Sequence, residues 1–327
     1  MSRQGVALER NLDNIKGFWK HEAREWGDDP RVTIRDHYFR LLETRSITEI
    51  IRGRRKVLDI ACGSGFSTLY FGEVVDEITG MDYVDDMVTC AQRFLSDTVY
   101  FNKVMDRFAC NERPKLRGNI RFETADILDM PYAPGSFDAV TTSRALINLP
   151  KWELQVKAID RVAKILKPKG VWALAEVTQQ GHEQMDRIRQ SFQLPILEKY
   201  WHNLYIDEPG FQSAAKKAGL AVRQIQRFET YQFLTKVIHP LIVAPREPKF
   251  LDGFNKAALT VSRLHPTYQS VVKMGVDKFF LDIFKSILAI EDPGKLDDYA
   301  RLVPKILKKN LDFTGCSHQV LFVLSPL

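Results

Sequence analysis

The sequence predicts an α/β fold, with a largely parallel sheet covered by helices on both faces. Three observations carry that prediction. Apolar, strand-like runs alternate with segments of helical periodicity from residue 56 to residue 177. The first run, Val57-Leu58-Asp59-Ile60-Ala61, breaks directly into Cys62-Gly63-Ser64-Gly65. A turn of that kind brings backbone N–H groups close to a ligand, because no side chain blocks the approach. The second run ends on Asp82, an acid placed where it can take the two hydroxyls of a ribose.

The elements follow in order. Residues 8–52 carry Phe18, Trp19, Trp26, Tyr38, Phe39, Leu42, Ile47 and Ile51 at helical spacing and are read as helices ahead of the sheet. Strand one is Lys56–Ala61, followed by a helix from Phe66. Strand two is Ile78–Asp82, followed by a helix from Asp85 that runs past Phe94. Strand three is Ile120–Ala125 and strand four Phe137–Ser143. A helix from Lys151 to Leu166 buries Ile159, Val162, Ala163 and Leu166. It stops at Lys167-Pro168-Lys169-Gly170, with proline and glycine where a helix must end. Strand five is Val171–Val177. Strands this uniformly apolar are covered on both sides, as in a parallel sheet.

The last third differs. Leu220–Phe228, extending toward Phe233, is read as strand six, and His318–Leu324 as a closing strand seven. Pro240–Phe313 is read as mainly helical, either a cap over one end of the sheet or a small helical unit. The expected organisation is a helical cap over 1–55, the ligand-binding sheet over 56–239, a helical insertion over 240–316 and the closing strand over 317–327.

Composition narrows the function classes. A chain of 327 residues, 45% hydrophobic and 27% charged, without low-complexity tracts, is neither disordered nor fibrous. The net charge is +6, yet 41 acids are interspersed among 47 bases. Arg52, Arg54, Arg55 and Lys56 form the densest basic cluster, and Arg113, Lys115, Arg117 and Arg121 a looser one. Neither concentrates charge as a nucleic-acid face does. Met1–Lys20 is polar throughout, unlike a signal peptide. Val237–Ala244, the longest apolar stretch, is too short to span a bilayer and is interrupted by His239 and Pro240. Cys62, Cys90, Cys110 and Cys316 show no CxxC spacing. That usage predicts a reducing cytoplasm, with neither a disulfide frame nor a metal site.

Five motifs then stand in order: Asp59-Ile60-Ala61-Cys62-Gly63-Ser64-Gly65, Gly80-Met81-Asp82, Thr124-Ala125-Asp126-Ile127, Ser136-Phe137-Asp138-Ala139-Val140, and the Arg161–Gly170 run before strand five. In this order and spacing the chain resembles the class I S-adenosylmethionine-dependent methyltransferases, over Lys56–Val177 and the last two strands. The resemblance implies a Rossmann-like, doubly wound seven-stranded sheet of order 3-2-1-4-5-7-6, with strand seven antiparallel. It also implies S-adenosyl-L-methionine as cofactor. Phe18-Trp19-Lys20 and Asp36-His37-Tyr38-Phe39-Arg40 look like a bacterial subgroup that acts on small molecules or sugars. Dinucleotide-binding domains use G-x-G-x-x-G, whereas the third position after Gly65 here is Thr68. That departure suits a nucleoside ligand without a diphosphate.

The resemblance also assigns roles. Gly63 and Gly65 pass beneath the methionine part of the cofactor, with Ala61 in the same loop and Asp59 toward the amino group. Asp82 holds the ribose, with Tyr83 and Met87 beside it. Asp126 accepts the adenine amino group and Ile127 covers the ring. Ser143 and Arg144 lie at the mouth, where Arg144 pairs with a ligand carboxylate or serves as a structural ion-pair partner. Tyr38 and Arg40 close over the cofactor or pack against it. Asn148-Leu149-Pro150 is not the N-P-P-Y motif of enzymes that methylate amino groups of nucleobases and amides. For a hydroxyl acceptor, His202, Tyr200 and Tyr205 are the candidate catalytic groups, followed by His239 and Glu176. The expected activity is methyl transfer to an oxygen or nitrogen of a small molecule, by a monomer or a homodimer. An RNA or protein methyltransferase and a non-catalytic cofactor-binding regulator stand as alternatives.

Overall fold

A computed structural model describes residues 9–27, 29–106, 113–115, 119–243, 253–288 and 312–327. Seven strands form one sheet of order β3-β2-β1-β4-β5-β7-β6. They are β1 Lys56–Ile60, β2 Glu77–Asp82, β3 Ile120–Thr124, β4 Phe137–Ser143, β5 Leu166–Val177, β6 Leu220–Arg227 and β7 Gln319–Pro326. The first five pair in parallel, and β7 runs antiparallel to both β5 and β6. The expected order and the orientation of strand seven are therefore both present.

Alternation along each strand feeds two separate cores. In β5, Val171, Ala173 and Ala175 enter one core while Trp172 and Leu174 enter the other. On the second face lie α6 (Trp152–Ile165) and α8 (Glu208–Lys217), through Ile159, Val162 and Phe211. On the first face lie α2 (His37–Ile51), α3 (Phe66–Phe71), α4 (Asp85–Ser96), α5 (Thr98–Asp106) and α7 (Gln179–Ser191). Helix α1 (Leu12–Trp26) stands apart. It packs with Val32, Val84 and Met87 in a small third cluster, beneath Trp19 and Tyr83.

Between β6 and β7 the described residues are helical: α9 (Glu229–Phe233), a π turn over Leu234–Ile238, α10 (His239–Val243), α11 (Gly253–Leu264), α12 (Tyr268–Met274) and α13 (Val276–Leu288). The remainder of the Pro240–Phe313 segment, Cys110 and Arg117 lie outside the described residues.

Two expectations about element bounds change. Strand six does not continue toward Phe233. Phe228 donates its N–H to Ser317 Oγ at 2.9 Å instead of to a strand. Tyr231, Leu234, Val237 and Ile238 then bury at helical spacing. Strand five begins earlier than expected. Phe137 pairs with Leu166 and Ala139 with Val171, so Lys167–Gly170 bulges out between two paired positions. Helix α6 ends at Ile165, and the chain enters the ladder at once at Leu166, ahead of Pro168 and Gly170.

Trp172 anchors the sheet's second face: it is fully buried and donates Nε1–H to Thr142 Oγ1 at 3.0 Å. We expect Trp172→Ala to lower unfolding free energy by about 3–5 kcal/mol in denaturant titration. A loss under about 1 kcal/mol would mean that the core repacks around the gap.

Candidate functional site

The carboxyl ends of β1, β2 and β4 open into a cavity of about 660 Å³, roofed by residues from α1, the segment before α2, and the π turn. A volume of that size lies within the roughly 300–1,000 Å³ that suits small-molecule ligands. Its floor is the turn after β1, where Ala61, Gly63 and Gly65 have φ of 57°, 54° and 76°. A Cβ on Gly65 would come within 2.6 Å of Phe122 Cζ, and one on Gly63 within 2.8 Å of Thr33 Cγ2. Glycine is thus required twice, once by the sheet beneath and once by the chain crossing above. Ala61 holds the left-handed conformation without being glycine, a strain that clusters at ligand sites.

Asp82 closes this floor. Its carboxylate accepts the N–H of Gly63 and the N–H of Val84, each at 2.9 Å, joining the turns after β1 and β2. Burial pushes its carboxyl up to about 6, against the pull of those N–H donors. Asp59 lies one strand away, also buried and pushed up to about 6 by desolvation. It accepts from Thr141 Oγ1 at 2.7 Å and from Thr68 Oγ1. Thr68, noted above for departing from the dinucleotide pattern, thus serves Asp59. Asp126 is exposed at the cavity edge and accepts the N–H of Leu128 at 2.8 Å.

Most of the expected residues meet here. Asp59, Ala61, Gly63, Asp82, Tyr83, Met87, Asp126, Ile127, Ser143, Arg144 and Arg40 all line the cavity, as do Tyr200, His202 and Tyr205. Gly65 and Tyr38 do not. Gly65 is the N-cap of α3, where a Cβ would strike Phe122 and Ala91. Tyr38 is buried in the core on the sheet's first face, and its helical neighbours Asp36, Phe39 and Arg40 reach the cavity instead. Sequence spacing selected the helix but not the face.

Arg144 has an ion-pair partner within the protein. Its Nη1 lies 2.8 and 2.9 Å from the two oxygens of Glu43, a fully buried carboxylate on α2. Glu43 also accepts from Ser143 Oγ at 3.2 Å and from Gln319 Nε2 at the start of β7. One carboxylate thus ties α2, the end of β4 and β7 together below the cavity. Nothing in the local pattern of α2 marked Glu43. Its partners lie about a hundred or more positions away.

The candidate catalytic groups are placed unequally. The His202 ring stacks on Phe18 at 4.5 Å and on Tyr200 at 5.7 Å, with Trp19 and Trp201 edge-on. Burial pushes it down to about 4, so the imidazole is neutral at physiological pH. Its Nδ1 is enclosed without a hydrogen-bond partner, so any bond it offers the cavity comes from Nε2. Glu176 does not line the cavity. Its carboxylate accepts the N–H groups of Ala145 and Leu146 at 2.8 Å and of Ile147 at 3.4 Å, capping the short 3-10 turn Leu146–Asn148. His239 stacks on Phe254 at 4.7 Å, also away from the cavity. Asn148 lines the cavity and accepts from Trp19 Nε1 at 2.9 Å, latching α1 to the β4 loop.

A polar part of the cavity lining was missed in the sequence: Asp36, Tyr231, Gln232, Lys236, His182 and His318. The segments that supply it are separated by the whole sheet. The only local hint was the Asp36–Arg40 motif. Among the described residues, no three His, Cys, Asp or Glu side chains are grouped to hold a metal, and no helix is long and apolar enough to cross a membrane.

Residues 58–174 match the family described as a methyltransferase domain. The chain is 27% identical over 151 residues to the demethylmenaquinone methyltransferase of Desulfitobacterium hafniense, covering 44% of this chain and 52% of that protein. It is 26% identical over 155 residues to the Staphylococcus aureus enzyme of the same name, covering 46% and 55%. The chain thus spans about half the length of these relatives. Among solved structures, the N-methyltransferase NodS of Bradyrhizobium japonicum, in complex with S-adenosyl-L-homocysteine, aligns with a TM-score of 0.46 at 16% identity. That alignment covers 66% of this chain and 90% of that one. The YcgJ protein of Bacillus subtilis aligns with a TM-score of 0.45 at 16% identity, covering 87% and 97%.

Two outcomes follow from the buried acids. Glu43→Ala leaves Arg144 without its carboxylate and should cost about 3–5 kcal/mol in chemical denaturation, with Glu43→Gln intermediate. A change under about 1 kcal/mol would show that the clamp holds nothing. For Asp59, the folded value near 6 lies above the ordinary carboxyl value. Its stabilising contribution is therefore complete below about pH 4 and is lost as pH rises toward 6. Relative to Asp59→Asn, the wild type should lose on the order of 2–3 kcal/mol across that window. Parallel stability curves for the two proteins would contradict this.

Proposed function

We propose that this chain, whose residues 58–174 match a methyltransferase domain, is a class I S-adenosylmethionine-dependent methyltransferase that binds S-adenosyl-L-methionine and methylates an oxygen or nitrogen of a small molecule. Asp82 carries the reading. It is fixed at the end of β2 by two backbone N–H groups and also lines the cavity. An ionised carboxylate offers about four acceptor positions, so capacity remains for ribose hydroxyls. The Gly63 turn suits a ligand that passes close to the backbone, and Tyr83, Met87 and Ile127 provide apolar cover for a nucleoside. We assign Asp126 to the adenine amino group and the Asp59–Ala61–Gly63 floor to the methionine end.

When bound, S-adenosylmethionine supplies a methyl group on a positively charged sulfur, already a strong electrophile. The protein's task is to align the acceptor and exclude water, worth roughly 7–11 kcal/mol of barrier when the geometry is right. We assign the acceptor to the part of the cavity lined by His202, Tyr200 and Tyr205. There a neutral imidazole can accept or donate a hydrogen bond, and aromatic rings can cover a flat substrate. On this reading the segment 1–55 acts as a cap over the cavity, and 240–316 is a helical insertion. Free thiols at Cys62 and Cys316 are in keeping with a cytoplasmic setting.

Calorimetry with S-adenosylhomocysteine and with NAD tests the cofactor. We expect the nucleoside thioether to bind and NAD not to. Asp82→Asn should weaken binding by about 1.5–3 kcal/mol. Wild-type affinity should also fall as pH drops through about 6, where Asp82 takes up its proton. Unchanged affinity in the variant, or preference for NAD, would overturn the assignment.

A further inference from the structure

The cavity wall supplied by α9, the π turn and the start of β7 has no part in holding the cofactor as assigned above. Its charges are balanced inside the protein. Lys236 lies in the π turn over Leu234–Ile238 and lines the cavity. Turns of this type are rare and occur frequently at functional sites. Asp36, the N-cap of α2, attracts it, and each side chain favours the charged form of the other. Behind the turn, Arg189 on α7 donates Nη1–H to the carbonyl of Lys236 and Nε–H to that of Pro195 at 2.8 Å. Its repulsion of Lys236 is weaker than the attraction of Asp36, and Asp186 in turn attracts Arg189. Arg144 is paired with Glu43, as described above.

The wall also presents hydrogen-bonding groups of fixed polarity. Gln232 on α9 and Gln319 on β7 both line the cavity, although they are 1% and 3% exposed. Gln232 Oε1 accepts the backbone N–H of His318 at 3.1 Å. That bond identifies the oxygen and leaves Nε2 as a donor. Gln319 Nε2 donates to the Glu43 carboxylate, which leaves its Oε1 as an acceptor. Neither of these two remaining amide atoms has a partner among the described residues, and neither is sealed away from the cavity.

His318 joins the two amides, bonded to one and adjacent in the chain to the other. Its carbonyl accepts the N–H of Thr178 at 2.9 Å, so its backbone is held on both sides. Its Nδ1 is enclosed without a partner, while the residue keeps accessible surface and lines the cavity. Burial, helped by the charge of Lys236, holds the imidazole down to about 3, so it is neutral at physiological pH. A neutral imidazole donates from one nitrogen and accepts at the other.

We propose that this wall is the acceptor-recognition subsite, and that it takes an uncharged, oxygen-bearing part of that molecule in preference to an ionised acid or an ammonium group. Gln232 Nε2 receives a carbonyl or hydroxyl oxygen, Gln319 Oε1 receives a hydroxyl hydrogen, and His318 serves either. The inference deepens the methyltransferase reading and rests on it for the word acceptor, yet the subsite can be tested without turnover. A neutral hydroxyl or carbonyl completes bonds that the wall leaves open. An ion of either sign would lose its water where the opposite charges are already engaged, which costs far more.

The test is calorimetry with 3-hydroxyacetophenone, 3-hydroxybenzoate and 3-hydroxybenzylamine, on protein alone and on protein saturated with S-adenosylhomocysteine. The three share one ring and one hydroxyl and differ in the charge of the other group. The neutral ketone should bind at least tenfold tighter than either ion, with or without the thioether. Gln232→Met should shrink that preference to threefold or less, and S-adenosylhomocysteine affinity on the same sample reports whether the variant is folded. Failure of the ketone to bind, an ion binding equally or more tightly, or an unchanged preference in folded Gln232→Met would overturn the proposal. Displacement of the ketone by S-adenosylhomocysteine would overturn it too, since the wall would then belong to the cofactor. If Gln232→Met does not fold, the wild-type ranking decides alone. Absence of S-adenosylhomocysteine binding to the wild type would instead count against the cofactor assignment, and the ranking on protein alone would still judge the subsite.

Discussion

The carboxylate of Glu43 is the interaction on which the cavity depends. It comes from a helix that precedes the sheet, yet it receives Ser143 and Arg144 at the end of β4 and Gln319 at the start of β7. Removing a charge from water is expensive unless its partners are complete, and here three donors converge on one group. The arrangement therefore specifies more than it stabilises. It sets the distance between α2 and the carboxyl edge of the sheet, and so the height of the cavity. Arg144, with φ of 56°, takes a backbone conformation that is uncommon for a bulky residue and is held there by its ion pair.

Above that level the roof is lightly held. Helix α1 contributes to only a small apolar cluster. Its other ties include the Trp19–Asn148 bond, the Phe18–His202 stack and ion pairs of Lys20 and Arg24 with Asp85 and Asp86, the ion pairs made largely by exposed side chains. Exposed pairs of that kind contribute little each, typically about 0–1 kcal/mol. Floor and roof thus differ in kind: a buried, hydrogen-bonded polar network below, and aromatic stacking with solvated charges above.

How much of this was legible in the sequence follows from the range of the interactions. The order of strands, the glycine turn and the acids at 59, 82 and 126 are local features. Each is set by residues within a few positions of one another, so pattern and spacing exposed them. Tyr38 shows where that ends. Helical periodicity identified its helix, but which neighbour faces the ligand depends on how α2 is rotated by the Glu43 clamp. Glu43, Lys236, His182 and His318 were invisible because they matter only once β4, α7, the π turn and β7 meet. Glu176 had the right composition for a base and the wrong address, since three backbone N–H groups already claim it.

The π turn has one more implication. It accommodates one residue beyond an ordinary helical turn. In a regular helix each residue advances the azimuth by about 100°. A homologous chain one residue shorter here would rotate everything before or after that point by that amount. The lysine would then face packed side chains while another group took its place at the opening. Related proteins sharing the same floor could in this way exchange ligand preference through a single insertion or deletion, with no change to the sheet.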